Sequence, residues 1–237
     1  MTAALITGGT RGIGLGIATR LAADGYRLGL LYARDDEAAA RAAVRLPGAV
    51  IARVDVADSA ATIAQVAVLE AQLGERFTVL VNNAGHTADG LLMMQKPEDI
   101  ERLLQVHLHA VIMLSRHVLR GMIASRGGHI VNIISPSALM GRAGQSVYAA
   151  AKGGVLAFTR ALAQEVGRFG IRVNALSPGI IDTELVQSLP EALRAELLAQ
   201  VPAGRMGTVD EVAAAVALLL RATYMTGTLI AVDGGLL

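Results

Sequence analysis

The chain has 237 residues, of which 53% are hydrophobic and 17% charged, so it can bury a sizeable core and does not have a disordered composition. Its 21 Lys and Arg nearly balance its 20 Asp and Glu, which disfavours a nucleic-acid-binding protein that depends on phosphate contacts. Cysteine is absent and the longest stretch without a charged residue, 127–141, is shorter than the roughly 20 residues of a membrane span, so we expect a cytoplasmic protein without a metal site.

Short apolar runs alternate along the chain with longer stretches that space their apolar residues as helices do. Strands are predicted at residues 3–7, 27–31, 49–54, 79–82, 129–134, 171–176 and 229–232. Helices are predicted at 14–24, 35–45, 59–73, 97–125, 147–169, 190–200 and 209–220, the fourth being one long helix or two abutting ones. This alternation indicates one α/β domain over residues 1–237, a doubly wound parallel sheet of the Rossmann type with helices on both faces.

A glycine-rich turn joins the first predicted strand to the first predicted helix. Glycines permit a tight turn and a close backbone approach, and the helix N-terminus offers N–H groups to a pyrophosphate. The spacing is not that of a P-loop, because no Gly-Lys-Ser/Thr follows, and the alternative is a plain glycine-rich turn. The residues predicted to bind a dinucleotide here are Gly8, Thr10, Arg11, Gly12, Ile13 and Gly14.

The residues after the second predicted strand bear on the identity of that dinucleotide. An acidic side chain is expected there for NAD, but Tyr32 occupies the position. Arg34 and Arg11 would place two guanidinium groups near the adenosine ribose, which favours NADP(H) over NAD(H). The alternative is that Arg34 is a solvated charge, since Asp35 and Asp36 follow it.

Two further strand ends complete the predicted nucleotide site. Asp55 and Val56 follow the third strand, where they could cap the next turn and meet the adenine. The fourth strand ends in an Asn-Asn-Ala-Gly sequence, in which we expect Asn82, Ala84 and Gly85 to contact the cofactor or hold the loop beneath it. Such residues also form ordinary turns.

Tyr148 and Lys152 lie four residues apart at the start of a predicted helix and therefore share one face. A free phenol has a pKa of about 10, and a nearby ammonium is expected to lower it. Ser135 follows the fifth strand, where its hydroxyl could hold a carbonyl oxygen. These residues predict hydride transfer between a nicotinamide and a carbonyl, with Tyr148 as proton donor, Ser135 polarising the oxygen and Lys152 tuning Tyr148 and holding the ribose.

Taken together, these motifs make the chain similar to the short-chain dehydrogenase/reductases over essentially its whole length. The resemblance rests on segments 7–14, 82–85 and 177–179 and on Ser135, Tyr148, Lys152 and Thr183. It implies a seven-stranded sheet in the order 3-2-1-4-5-6-7, commonly a homotetramer, a nucleotide-binding part at about 1–125, a catalytic part at about 126–237 and a substrate lid at about 180–207. It also implies cofactor contacts from Pro178, Gly179, Ile181 and Thr183.

Within that family the chain looks most like the β-ketoacyl-acyl-carrier-protein reductases, through segments 89–93, 144–152, 178–183 and 201–207. This implies NADPH-dependent reduction of a β-keto group on an acyl thioester, in fatty-acid-like or polyketide-like biosynthesis. Such reductases dock an acidic carrier helix on basic residues near the active-site mouth. Arg126 and Arg168 occupy sequence positions where such a patch would lie, although each could instead be a solvated charge.

His107 departs from the family pattern, which usually has an Asn in this helix that supports a backbone distortion and a proton-relaying water. His107 could keep the relay and titrate near neutral pH. The alternatives are a tolerated replacement with a lower rate and a pocket remodelled for a specialised substrate. The other histidines lack metal-ligand spacing and are expected to be ordinary surface or loop residues: His86, His109, His117 and His129.

Two other functions stay open at this point. One is an oxidoreductase for a free small alcohol or ketone, and the other is an NADP-binding regulator with weakened catalysis. The intact set of Ser135, Tyr148 and Lys152 argues against the regulator. Apolar side chains in the implied lid favour acyl chains over sugars, namely Leu185, Val186, Leu189, Leu193, Leu197 and Leu198.

Overall fold

The strands of the described part of the chain form one parallel sheet. The computed structural model describes residues 2–86 and 89–237. The strands are β1 (Ala3–Thr7), β2 (Arg27–Tyr32), β3 (Val50–Arg53), β4 (Phe77–Asn82), β5 (Gly128–Ile133), β6 (Ile171–Pro178) and β7 (Leu229–Val232). Their order is β3-β2-β1-β4-β5-β6-β7, and every pairing is parallel, which confirms the predicted doubly wound α/β fold.

Helices connect the strands and cover both faces of the sheet. They are α1 (Gly12–Ala23), α2 (Asp36–Arg45), α3 (Ser59–Leu73), α4 (Pro97–Leu104), α5 (Ala110–Ala124), α6 (Ser146–Val166), α7 (Glu184–Gln187), α8 (Glu191–Ala199) and α9 (Val209–Arg221). Short 3-10 turns occur at Leu92–Met94, Pro136–Ala138 and Gly167–Phe169. None of these helices is both long and apolar enough to cross a membrane, as far as the described residues go.

Alternation along the buried strands divides the core into two layers. In β1, Ala4 and Ile6 belong to the layer that includes α1 and α9. Ala3 and Leu5 belong to the layer on the opposite face, which includes α3, α5 and α6. Because both faces are covered, the strands read as continuous apolar runs, and part of the high hydrophobic content is explained.

The stretch predicted as one long helix or two abutting ones contains two helices. A π-helical turn, Gln105–His109, separates α4 from α5. Such turns widen a helix locally and are frequent at functional sites. The turn carries His107 into the interior, beside α6.

The expectation that His129 is a surface or loop residue is wrong. It lies in β5 with 2% of its surface exposed, and its Nε2 accepts a 2.9 Å hydrogen bond from Asn174 Nδ2. Since Asn174 also donates to Met225 O and accepts from Thr228 N–H, its amide orientation is fixed. His129 is therefore a core residue.

Candidate active site

Ser135, Tyr148 and Lys152 come together at the carboxyl end of the sheet, as the sequence predicts. Ser135 follows β5, and the other two lie on the first turns of α6. The Ser135 hydroxyl lies near enough to Tyr148 to lower the pKa of the phenol. Lys152 Nζ lies 5.8 Å from the centroid of the Tyr148 ring and donates to Ile133 O at 2.9 Å. This arrangement places a phenol, a hydroxyl and an ammonium around one point.

The electrostatics of Tyr148 differ from the expectation. Burial raises the pKa of Tyr148 above its ordinary value, and the nearby charge of Asp89 also raises it, while the hydrogen bond from Ser135 lowers it. The expected lowering by Lys152 is therefore wrong. Burial instead lowers the pKa of Lys152 itself, to about 8. Tyr148 is a neutral phenol at physiological pH.

His107 forms one wall of the site. Its ring meets the Tyr148 ring edge-on with the centroids 5.1 Å apart. Its Nε2 lies 2.7 Å from His86 O and 3.1 Å from His86 N, and the shorter contact, to a carbonyl oxygen, places the proton on Nε2 and leaves a lone pair on Nδ1. That Nδ1 is buried and has no hydrogen-bond partner among residues 2–86 and 89–237. A Cβ on Gly85 would come within 2.5 Å of this ring, so the glycine provides its space.

The expected titration of His107 near neutral pH is wrong. Burial, together with the charge of Lys152, lowers the pKa of His107 to about 3. The side chain is 2% exposed, and the sequence alone does not reveal this burial. His107 is a neutral hydrogen-bonding residue across the physiological range.

The glycine turn has the backbone that its composition predicts. Gly8 and Gly12 have φ of +63° and +51°, in the left-handed region that favours glycine. A Cβ on Gly14 would lie 2.0 Å from Gly8 O. The N-cap residue of α1, Arg11, is extended, and its guanidinium pairs with Asp35 at 3.6 Å rather than capping the helix. The turn therefore directs the N-terminus of α1, with its N–H groups and positive dipole end, towards a ligand site.

Two neighbouring asparagines have separate roles, which the sequence did not distinguish. Asn83 Nδ2 donates to Thr7 O at 2.9 Å and to Gly8 O at 3.1 Å, so it holds the glycine turn. Asn82 Nδ2 instead donates to Asn132 Oδ1 at 2.8 Å and to Ser115 Oγ at 3.3 Å, inside the core. Alternation along β4 turns the Asn82 side chain away from the glycine turn, and a contact between Asn82 and a cofactor stays a prediction. Ala84 N–H also donates to Thr7 Oγ1, and Thr7 was not predicted.

The ends of β2 and β3 carry a cluster of charges. Tyr32 Oη donates to Asp36 at 2.9 Å, and Arg53 pairs with the same carboxylate at 2.9 Å. Arg34 is exposed, and its charge reaches Asp55. Arg53 was not predicted, although it lies opposite Tyr32 in the β2–β3 register and could have been found from the strand order.

Asp55 caps the turn after β3, and Val56 packs in the core beside it. Asp55 Oδ1 accepts from Ala57 N–H at 3.1 Å, and its other oxygen forms an ion pair with Arg102. The Val56 side chain is buried with Val106. The turn-capping interpretation is therefore correct, and an adenine contact stays a prediction.

The segment after β6 closes the site on its other side. Gly179 N–H donates to Val232 O, and a Cβ on Gly179 would lie 2.6 Å from Asp233 Cα. The buried Ile181 forms a β-bridge with Gly207, which joins the ends of the predicted lid. Thr183 lies opposite the glycine turn, with its side chain 3.7 Å from the position of a Cβ on Gly12. Pro178 ends β6.

Arg126 and Arg168 do not lie near the mouth of this site. Arg126 precedes β5 and Arg168 precedes β6, whereas Ser135 follows the carboxyl end of β5. A six-residue strand is about 20 Å long, so the two arginines lie at the opposite edge of the sheet. Their predicted place beside the mouth is wrong within one subunit, because sequence position did not show which strand end they occupy.

These features fit a nicotinamide dinucleotide. Left-handed glycines and the N-terminus of α1 would hold its pyrophosphate, and exposed Arg34 lies at the adenosine end. At the other end, Thr183 and Lys152 would hold the nicotinamide half. The site therefore offers suitable hydrogen-bond donors and charges for each part of a dinucleotide.

Comparisons with known proteins agree with this geometry. Residues 8–237 match the sequence model of a family described as enoyl-(acyl carrier protein) reductase. The 3-oxoacyl-[acyl-carrier-protein] reductase FabG of Escherichia coli is 41% identical over 237 residues, covering 98% of this chain and 96% of that protein. An acetoacetyl-CoA reductase of Shinella zoogloeoides is 40% identical over 235 residues, covering 98% of this chain and 97% of that protein. The structure of a mutant short-chain dehydrogenase/reductase of Serratia marcescens superposes with a TM-score of 0.93 at 33% identity, covering 99% of this chain and 97% of that one.

Proposed function

Because this chain belongs to the short-chain dehydrogenase/reductase family, we propose that it reduces the β-keto group of an acyl thioester with NADPH, and that an acyl carrier protein presents the thioester. The observation that carries the proposal is the 41% identity to a 3-oxoacyl-[acyl-carrier-protein] reductase over nearly the full chain, with Ser135, Tyr148 and Lys152 in one cluster. As a member of this family the chain is an NAD(P)-dependent oxidoreductase.

The reduction adds a hydride to the carbonyl carbon and a proton to the carbonyl oxygen. When bound, the nicotinamide cofactor supplies the hydride. Tyr148 donates the proton, since its pKa lies above the ordinary value and the phenol is protonated. Ser135 donates a hydrogen bond to the same oxygen and so stabilises the negative charge that develops there.

Lys152 supplies a buried ammonium with three N–H donors, one of which is used by Ile133 O. The other two N–H donors are proposed to hold the ribose hydroxyls. With a pKa of about 8, Lys152 is largely charged at neutral pH, so it would bind these hydroxyls as a cation.

His107 is proposed to accept a hydrogen bond from the water molecule that returns a proton to the site. Its Nδ1 is a buried acceptor without a partner in the described residues, and Lys152 is close enough to influence its charge state. A neutral imidazole in this position orients a water without itself titrating. His107 is therefore proposed to take part in the relay as a hydrogen-bonding residue and not as a group that titrates near neutral pH.

Apolar side chains around the mouth favour an acyl substrate. The backbone bond from Gly90 N–H to Gly144 O, 2.9 Å long, ties the loop after β4 to the start of α6. The exposed apolar residues near this junction, after Ser135 and on the lid, are Leu91, Leu92, Met93, Met94, Leu139, Met140 and Leu185. A sugar site would present polar groups here, so the apolar rim supports a fatty or polyketide-like chain.

The carrier and the assembly are part of the proposal. Arg126 and Arg168 can serve carrier docking only if this edge of one subunit reaches the mouth of another. Such docking requires an oligomer. We propose a homotetramer, whose subunit interfaces would bury apolar side chains that are exposed in a single subunit. The Arg168 guanidinium lies 4.8 Å from the Phe169 ring centroid, which holds it at the surface.

A substrate comparison tests the function. Purified protein is mixed with NADPH and a β-ketoacyl group on acyl carrier protein, on coenzyme A, or as a free ketone, and cofactor oxidation is followed. We expect the highest kcat/KM with the carrier-bound thioester. Turnover of free ketones alone would favour a small-molecule oxidoreductase, and NADPH binding without any turnover would favour a regulator.

A further inference from the structure

Gln145, the N-cap residue of α6, has a buried side chain that connects the loop of Ser135 to an acidic residue on another loop. Only 7% of Gln145 is exposed. Its Nε2 donates to both carboxylate oxygens of Asp89, at 3.1 and 3.0 Å, and its Oε1 accepts a 2.6 Å hydrogen bond from Ser137 Oγ. The amide nitrogen and the amide oxygen of Gln145 are therefore both hydrogen-bonded to other side chains.

The Asp89 carboxylate sets the direction of each hydrogen bond in this network. Because a carboxylate cannot donate, the Gln145 amide must turn its nitrogen to Asp89 and its oxygen to Ser137. Ser137 Oγ uses its only proton on Gln145, so its lone pairs face Ser135, whose hydroxyl donates to it at 3.3 Å. Ser137 N–H donates to Ser135 Oγ at 3.3 Å as well. Ser137 Oγ therefore competes with Tyr148 for the single proton of the Ser135 hydroxyl.

We propose that Asp89, Gln145 and Ser137 are positioning residues that draw the Ser135 hydroxyl proton towards Ser137, weaken the hydrogen bond that Ser135 donates to Tyr148 and so keep Tyr148 in its proton-donating form. This inference deepens the proposed function and rests on it, because a neutral phenol is the form that reduces a carbonyl and a phenolate is the form that oxidises an alcohol. The Ser135–Ser137 bond is long, so a bound carbonyl oxygen can compete for the Ser135 proton. The network therefore favours the protonated form of Tyr148 and still allows Ser135 to bind a substrate carbonyl.

The charges around Tyr148 agree with this role. From the loop after β4, Asp89 opposes the phenolate, and from α6 Lys152 is the cation. The π-helical turn contributes His107, which is neutral. The residues of α4 that pack in this cluster are apolar, namely Ile100, Leu103 and Leu104. Within the described chain, Asp89 is thus the negative charge whose field reaches Tyr148.

The test uses Ser137→Ala, which removes the link and leaves the Gln145–Asp89 pair, and Ser137→Thr, which restores a hydroxyl. Tyr148 is titrated directly through tyrosinate absorbance, as the difference between each protein and the same protein carrying Tyr148→Phe. In Ser137→Ala, the Ser135 proton becomes free to bond the phenolate, so the titration midpoint moves to lower pH. Asp89→Asn moves it in the same direction, and Ser137→Thr restores the wild-type midpoint.

Kinetics provide the second measurement. Loss of one hydrogen bond of the network is expected to lower kcat of thioester reduction by about three- to tenfold in Ser137→Ala, with KM for NADPH unchanged. Gln72→Leu on the exposed face of α3 is the matched control and leaves both the titration and kcat as in the wild type. An unchanged Tyr148 midpoint in both Ser137→Ala and Asp89→Asn would overturn the inference. If the midpoint shifts while the wild type reduces no thioester, the network stands and the proposed function fails.

Discussion

The His107 and Tyr148 rings meet edge-on with their centroids 5.1 Å apart, while His107 Nε2 donates to His86 O at 2.7 Å. One residue thus packs against the proton donor and is anchored on the loop after β4. Its other nitrogen, Nδ1, faces no partner in the part of the chain that the structure describes. The ring can therefore supply both packing and a hydrogen-bond acceptor, and these two contributions can be separated.

His107→Phe keeps the ring and removes both nitrogens. We expect kcat to fall about tenfold with little change in NADPH affinity, because the acceptor for the relay water is lost. His107→Asn retains polar atoms and is expected to recover most of the rate. Neither variant should alter the pH profile between pH 5 and 8, since the pKa of His107 is about 3. A wild-type rate in His107→Phe would contradict the relay.

Asn83 and Asn82 form a matched pair of adjacent positions with different expected effects. Asn83→Ala loses two hydrogen bonds to the glycine turn and should raise the Kd for NADPH about tenfold, measured by fluorescence titration. Asn82→Ala leaves a buried Asn132 oxygen without its donor, which costs about 1–3 kcal/mol in the free energy of unfolding. If Asn82→Ala weakened cofactor binding more than Asn83→Ala did, the assignment of the two side chains would be reversed.

The difference between these asparagines shows where sequence reasoning succeeds. The strands, the glycine turn and the Tyr148–Lys152 pair depend on local spacing, so they could be predicted residue by residue. Other features depend on which strand end or which face a residue occupies after packing. These are the direction of the Asn82 side chain, the burial of His107 and the position of Arg126. The Asp89–Gln145–Ser137 network joins the loop after β4 to the β5–α6 connection, and no local pattern in the sequence indicates it.

Buried neutral histidines should make the fold sensitive to acid. Burial, with a smaller effect of Arg172, lowers the pKa of His129 to about 3. The unfolded chain takes up this proton near pH 6.5 and the folded chain does not, so stability is fully present above pH 6.5 and falls towards pH 3. At pH 5 the loss due to His129 is about 2 kcal/mol. Urea unfolding at pH 7 and pH 5 should show a correspondingly smaller difference in His129→Phe, and an equal difference would contradict this.

Arg34 is expected to select the cofactor. It is exposed at the end of β2, whereas Arg11 and Arg53 pair with Asp35 and Asp36. Loss of a charged hydrogen bond to a 2′-phosphate corresponds to about tenfold or more in KM, so Arg34→Ala should raise KM for NADPH by that factor. KM for NADH serves as the internal control and should stay the same. An equal rise in KM for both cofactors would show that Arg34 does not recognise the 2′-phosphate.

Gly85 and His107 are expected to be coupled through space. A Cβ at position 85 would lie 2.5 Å from the His107 ring, so Gly85→Ala must displace the ring and break its bond to His86 O. We expect a loss of about 1–3 kcal/mol in unfolding free energy and a lower kcat. In a His107→Ala background the space is free, so adding Gly85→Ala should cost much less, which is the signature of direct coupling in a double-mutant cycle. Gly127→Ala, where a Cβ meets no described atom within 4 Å, is the matched control. Additive effects of Gly85→Ala and His107→Ala would mean that the glycine is required for some other reason than the space of this ring.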